Sequence, residues 1–253
     1  MTEASTQALL LGSGGWVPTA SRATCCALLR RGDRALLIDA GTGVSRLVEH
    51  DRLLRGVREL DVVLTHFHLD HVVGLAYLPA LPLSAPPRLH GPGESLYDQP
   101  TEAILGRLIG WPLFGVELDA LVAGVEEIGE GELEVGPFAL RARRQDLHAD
   151  PTLGFRVEDL LAYCTDTSYD EGNAGLARGC RTLAHEAWYT EDAPREEATH
   201  SSAREAAQVA RDAGVERLVL IHVHPNADEG LMEEEARSVL VQTEVGRDLM
   251  PLL

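Results

Sequence analysis

The sequence predicts one α/β domain in which a succession of apolar strands ends on histidine or carboxylate side chains. Three observations carry that reading. The run Asp61-Val62-Val63-Leu64 reads as a buried strand and leads directly into Thr65-His66-Phe67-His68-Leu69-Asp70-His71. The same arrangement recurs four or five times along the chain, at Thr165-Asp166-Thr167, His185-Glu186-Ala187 and Ile221-His222 among others. No linker or shift of composition divides residues 1–253, which are read as a single domain whose two halves can form two sheets packed face to face.

In chain order, Ala8-Leu9-Leu10-Leu11 is a short apolar strand ending in Gly12-Ser13-Gly14-Gly15. These glycines do not match the GxGxxG fingerprint and Trp16-Val17-Pro18 does not open a helix, so a glycine-rich turn beside an active site is preferred to a dinucleotide site. Strands at Cys25-Cys26-Ala27-Leu28-Leu29 and Arg34-Ala35-Leu36-Leu37-Ile38 are joined by a tight turn at Arg31-Gly32-Asp33. The second ends at Asp39, either a turn residue or a carboxylate that orients a histidine of the following cluster. A helix over 44–54 follows.

On an extended backbone His66 and His68 share a side and can reach one ion, while Asp70 and His71, at the turn into the next helix, can reach a second. Imidazole and carboxylate together suit zinc, with manganese or iron as alternatives, and leave coordination positions open for water. A ligand-free, histidine-rich surface turn is the weaker reading, because imidazole is costly to bury unpartnered and these follow a core strand directly.

The helix continues over 72–78 until Pro79 and Pro82 break it. Residues 83–100 are rich in proline and glycine and hold one strand, Arg88-Leu89-His90, with His90 in a structural role. A helix from 94, interrupted near Pro100, runs to 108, and the aromatic bulk of Gly110-Trp111-Pro112-Leu113-Phe114 belongs either to the core or to a wall of a substrate pocket. The second half opens with strands over 125–128, 133–135 and 138–143 and then reaches Asp146-Leu147-His148. Strands over 154–157 and 160–164 follow, the latter delivering Asp166, and Thr182-Leu183-Ala184 delivers His185 and Glu186. Ser202 and Glu205 stand at capping-box spacing at the start of a helix that ends at Gly214. The strand Arg217-Leu218-Val219-Leu220-Ile221 delivers His222, and Asp228 caps a last helix reaching residue 241.

Composition narrows the partners. The formal charge is -18, and all 22 basic residues are arginine, which excludes Schiff-base chemistry and a phosphate-loop lysine. An acidic chain needs a concentrated basic patch to hold RNA, and the candidates, Arg141/Arg143/Arg144 and Arg52/Arg55/Arg58, read better as solvated faces. Cys25, Cys26, Cys164 and Cys180 form no CxxC pair and are expected as buried or free thiols. No signal peptide and no membrane-length apolar run is present, so a cytoplasmic location without membrane contact is expected.

These motifs resemble the metallo-β-lactamase superfamily, whose HxHxDH signature is met by His66, His68, Asp70 and His71. Within it the ribonuclease Z-like phosphodiesterase branch is the nearest in pattern. Its later motifs are matched by His148 six residues before Gly154-Phe155, by Thr165-Asp166-Thr167, His185-Glu186-Ala187 and His200-Ser201, and by Ile221-His222. The resemblance implies a four-layer αββα sandwich with two zinc ions along one edge. It implies His66, His68 and His148 as ligands of the first ion, Asp70, His71 and His222 as ligands of the second, and Asp166 as the bridge. It further implies that His200, held by Glu186, protonates or stabilises the leaving oxygen, and that Asp70 can accept the proton of a metal-bound water. Relatives are often dimers, so a homodimer is expected.

One departure matters. In the tRNA-processing members a long arm that grips tRNA usually separates the third histidine from the bridging aspartate, whereas His148 and Asp166 are only 18 positions apart here. The expected substrate is therefore a small, nucleotide-like or cyclic phosphodiester, and tRNA is a poor candidate. A tRNA 3′-processing endonuclease that recognises RNA by another surface, or a hydrolase of a lactone, thioester or sulfate ester on the same two metals, are the alternatives. A disabled, non-enzymatic fold is disfavoured because every expected ligand is present.

Overall fold

The computed structural model describes residues 5–195 and 199–253. Two seven-stranded sheets form its centre. In chain order the strands are β1 (Gln7–Gly12), β2 (Cys26–Arg31), β3 (Arg34–Ile38), β4 (Glu59–Val63), β5 (Arg88–Gly91), β6 (Gly124–Glu127), β7 (Gly131–Val135), β8 (Phe138–Gln145), β9 (Thr152–Val157), β10 (Leu161–Cys164), β11 (Thr182–Glu186), β12 (Arg217–Ile221), β13 (Thr243–Val245) and β14 (Met250–Pro251). The first sheet has the order β14-β1-β2-β3-β4-β5-β6 and the second β13-β12-β11-β10-β9-β8-β7. In each, an antiparallel part continues into a parallel one: β3 to β6 run parallel, as do β10 to β13.

Near-continuous apolar runs are what strands covered on both faces require, because successive side chains enter different cores. Leu36, Ile38 and Val63 face the space between the sheets, where Phe138, Phe155, Tyr163, Val219 and Ile221 meet them from the second sheet. Their neighbours Leu37, Val62 and Leu64 face the helical layer outside the first sheet. Leu218 and Leu220 face a third core beneath the helix Ala203–Ala213. The result is helix, sheet, sheet, helix, the expected αββα order. Each fully buried leucine contributes roughly 1.5–3 kcal/mol of transfer free energy.

Several expectations change on folding. The helix expected over 44–54 is a 3-10 turn, a short α-helix (Ser45–Glu49) and a second 3-10 turn (Asp51–Leu54), because His50 leaves helical geometry at φ -124°, ψ 59°. The segment over 72–78 is largely 3-10 helix, continuing to Ala80 with Pro79 inside it. The helix expected from 94 to 108 is two five-residue helices, Gly93–Tyr97 and Thr101–Leu105, parted by the left-handed Asp98 and by Pro100. The strand near 125–128 pairs with β5 and so closes the first sheet instead of opening the second. The last helix stops at Arg237, short of 241. The helix Glu171–Ala177 and strands β13 and β14 carry no strong sequence signal; β14 pairs antiparallel with β1. Trp111 and Leu113 are exposed, 85% and 71%, whereas Phe114 packs against the core outside the first sheet, so the segment reaches the core through Phe114 and does not line the cleft.

The expected caps form. Ser202 and Glu205 make a reciprocal capping box, Gly214 ends that helix at φ 71°, and Asp228 accepts from Leu231 N at 3.0 Å. The four cysteines are buried and unpaired. Arg143, Arg144 and Arg141 pair with Asp170, Asp146 and Glu132. Among the described residues no helix is long and apolar enough to cross a membrane.

The C-terminal segment also clamps the glycine-rich turn. Asp248 accepts from Ser13 N (3.1 Å), Ser13 Oγ (2.8 Å) and Ala23 N (2.8 Å) and pairs with Arg46 at 2.9 Å. Asp248→Ala strands these donors in a mostly buried setting, so urea unfolding is expected to show a loss of about 2 kcal/mol.

Candidate metal centre

The C-terminal ends of the parallel strands in both sheets converge on one edge. There β3 delivers Asp39, β4 the segment from Thr65 to His71, β10 Asp166, β11 Glu186 and β12 His222. His148 comes from the β8–β9 connection and His200 from the approach to the helix Ala203–Ala213. Seven non-glycine residues among those described have positive φ, and four of them, Trp16, Asp39, Asp166 and His222, belong to this edge. Left-handed backbone is unfavourable for such residues and is sustained only where surrounding contacts impose it.

Asp39 shows how the histidines are aimed. It has no solvent exposure and accepts from Thr65 N at 2.8 Å, Thr65 Oγ1 at 2.9 Å and His71 Nδ1 at 2.8 Å. A carboxylate only accepts, so the His71 ring carries a proton on Nδ1 and turns Nε2 toward the cluster. Because Thr65 Oγ1 spends its hydrogen on Asp39, it accepts from His66 Nδ1 at 3.0 Å, and His66 Nε2 is likewise freed. Nε2 of His66, His71 and His222 are buried without a hydrogen-bond partner, a cost of roughly 1–3 kcal/mol each unless something binds there. A divalent cation meets that need.

Asp166 is the hub. His66, His71 and Asp166 bring ligand atoms within 4.8 Å of one another, as do His68, His148 and Asp166, and Asp166, His200 and His222. Asp70 Oδ2 lies 3.5 Å from His71 Nε2 and 3.3 Å from His222 Nε2. All seven expected ligands are thus gathered at one place, and these residues fit a metal site. The groupings cross the two expected ligand sets, with His66 beside His71, and His68 Nε2 lies 3.1 Å from Asp150. Cys25 also approaches His71 and His222, but burial pushes its thiol well up and Sγ donates to Gly14 O, so it is left out.

Burial opposes charge on Asp166, yet His222 and His71 hold its carboxyl well below the usual range, and Asp70 is lowered likewise against its own burial by His71 and His222. Burial also opposes charge on His71 and His222, but the carboxylates of Asp166 and Asp70 raise both. His66 and His148 are lowered, chiefly by burial.

His200 Nδ1 donates to Glu186 Oε2 at 2.8 Å, and the fully buried Glu186 also accepts from Thr167 N. A cleft of about 400 Å³ lies above, lined by Trp16, His68, Asp70, His148, Ala149, Asp166, Trp188, Thr199, His200 and His222. Thr65, Trp16 and Trp188 escape sequence reading. Trp188 stacks on His200 at 4.6 Å and His222 at 5.1 Å, but an aromatic after Glu186 carries no signal to separate it from core. The glycine-rich turn does flank the cleft, because a Cβ on Gly15 would meet His222 Cε1 at 2.4 Å. His90 lies elsewhere, paired with Asp61 at 2.9 Å, a structural role.

Comparison with known proteins agrees with this geometry. The family model for a β-lactamase superfamily domain matches residues 34–223. A ribonuclease Z from Methanopyrus kandleri is 29% identical, covering 94% of each chain. That alignment spans 283 positions against a chain of 253 residues, so the relative has segments missing here. Among solved structures, the metallo-β-lactamase fold protein YhfI from Bacillus subtilis superposes with a TM-score of 0.80 at 20% identity, covering 98% of this chain and 99% of YhfI. A diphosphatase of the PhnP family superposes at 0.73 with 19% identity, covering 98% of each chain.

Asp39→Asn is expected to weaken metal binding about 10–100-fold in a chelator competition, because the amide no longer fixes the imidazole tautomers. Since His71 and His222 are raised and a ligand must be deprotonated, affinity is expected to fall as pH drops, starting above the ordinary histidine range. Calorimetry in two buffers of different ionisation heat should register the released protons.

Proposed function

The chain belongs to the metallo-β-lactamase superfamily, on its ribonuclease Z-like side, and is a metal-dependent hydrolase; from that premise we propose a two-metal phosphodiesterase acting on a small nucleotide-like diester. The observation that carries the reading is His200, backed by buried Glu186, lining the same cleft as the Asp166 hub. Such a pair answers a reaction in which an alkoxide must leave.

Two divalent ions, zinc or alternatively manganese or iron, supply a polarised phosphoryl oxygen and an acidified water when bound. The rest falls to the chain. On this reading His66, His68 and His148 would hold one ion and Asp70, His71 and His222 the other, with Asp166, the residue common to three of the clusters, available to both. Asp70, which lines the cleft, accepts the proton of the attacking water. His200 passes a proton from Nε2 to the leaving oxygen while Glu186 balances the charge on the ring. Trp188, stacked against His200 and His222, keeps water from their outer faces.

Similarity to a ribonuclease Z favours a second reading, tRNA 3′-end cleavage. Against it, His148 and Asp166 are joined only by the hairpin of β9 and β10, with no arm, and no arginine lines the cleft. A lactone, thioester or sulfate ester is the remaining alternative on the same metals.

The test is metal content together with turnover of bis(p-nitrophenyl) phosphate, cyclic nucleotides and a precursor tRNA. About two metals per chain and turnover of a small diester are expected. Asp70→Ala should abolish that turnover. His200→Ala should cost roughly 10²–10⁴ for a poor alkoxide leaving group and much less for p-nitrophenolate. A discrete 3′ cut in the precursor tRNA would favour the second reading, and two metals without diester turnover would favour the third.

A further inference from the structure

Beside the metal cluster the cleft offers a phosphodiester little except aromatic surface. Its lining has no lysine or arginine; its charged groups are histidines and aspartates, and Trp16 and Trp188 supply the large apolar surface. Among the described residues, four of the ten exposed large hydrophobics, Trp16, Val17, Leu69 and Leu147, are cleft residues or their immediate chain neighbours.

Trp16 combines a fixed backbone with an open side chain. Its N–H donates to Asp70 Oδ2 at 2.7 Å, and Val17 N closes a turn on Gly15 O at 2.8 Å. The preceding Gly15 is pressed so closely on His222 that no side chain fits there. The turn is thereby bolted to two of the proposed ligands, and the residue accepts a φ of 64° to stay in place. Yet Trp16 is 63% exposed, so the strain is not repaid by core packing. Its ring is backed by His224, stacked at 6.2 Å and 28°. A rigid indole with a solvent-facing surface, set next to a phosphodiester site, suits a nucleobase, since every base has a face to stack. The cleft volume of about 400 Å³ lies in the range of pockets for ligands of nucleotide size.

We propose that Trp16 is the stacking platform for the nucleobase of the substrate and the residue that sets preference for nucleotide over simple alkyl diesters. This rests on the phosphodiesterase reading. Trp16 is a specificity residue: it places the base, and through it the phosphorus, relative to Asp70.

The test uses two esters with one leaving group, thymidine 5′-(p-nitrophenyl phosphate) and methyl p-nitrophenyl phosphate, on the metal-loaded protein. In Trp16→Ala, which retains the backbone N–H, the ratio of kcat/KM for the thymidine ester to that for the methyl ester should fall about tenfold or more, carried by KM. Trp16→Phe should restore most of the ratio. An unchanged ratio in Trp16→Ala, with metal content intact, overturns the proposal, as does a Trp16→Ala chain that changes only its oligomeric state. Should the wild-type protein hydrolyse neither ester, the phosphodiesterase reading has failed, and the platform is judged separately by titrating 5′-AMP against tryptophan fluorescence. Quenching lost in Trp16→Ala supports stacking on this ring; no quenching in the wild type, or quenching retained in the variant, overturns it.

Discussion

A carboxylate sealed from solvent at the end of β3 is the constraint on which the site depends. A buried carboxylate is tolerated only when its lone pairs are engaged, and Asp39 engages them with Thr65 N, Thr65 Oγ1 and His71 Nδ1. Those bonds tie the end of β3 to the segment leaving β4. They also dictate the tautomers of His66 and His71, because each donor used on Asp39 leaves a bare Nε2 facing Asp166. Two bare imidazole nitrogens next to a buried carboxylate form a hole for positive charge. The same negative charge raises His71 and His222, through Asp166 and Asp70, against their burial.

The fold makes this arrangement affordable. Two sheets that each pass from antiparallel to parallel order place the ends of β3, β4, β10, β11 and β12 along one edge. A strand end points the chain away from the sheet, so a side chain that must turn back toward the cluster needs unusual backbone. That explains why Asp39, Asp166 and His222 sit at positive φ. The strain is supported from below by three apolar cores and from the side by Asp248, which clamps the glycine-rich turn to the C-terminal segment.

The parts legible in the sequence share a physical cause. Strands buried on both faces must be apolar throughout, so β4, β10 and β12 announce themselves, and the polar residue ending each run is conspicuous because it breaks the pattern. Ser202 and Glu205 are legible because a capping box is a local bond pair. What is not legible depends on distant partners. The strand Gly124–Glu127 is marked as a strand by its own residues, but its place in the first sheet is decided by pairing with Arg88–Gly91. Met250–Pro251 is a strand only because Gln7–Gly12 is beside it. Asp39 could be read as orienting residue or turn residue, and it is both. Thr65 and Trp188 look like ordinary strand-end and core residues until the histidines they touch are in place.

Charge then decides what the cleft can accept. The chain carries a formal charge of -18, and several of its arginines are spent on nearby carboxylates: Arg88 on Asp61, Arg143 on Asp170, Arg46 on Asp248. None lines the cleft, where neighbouring histidines hold the carboxyls of Asp70 and Asp166 below the usual range. On the proposed reading a phosphate meets carboxylates and histidines and no arginine, so substrate affinity would depend on metal loading through the same residues. A long polyanion would gain little, since affinity for RNA grows with the number of phosphates neutralised by basic side chains and released counterions. A single diester needs only one phosphate accommodated, and that phosphate can be held at the metal cluster. On the proposed reading the remaining recognition falls to the uncharged part of the substrate, and the cleft offers it Trp16 and Trp188 where a polyanion site would offer arginines.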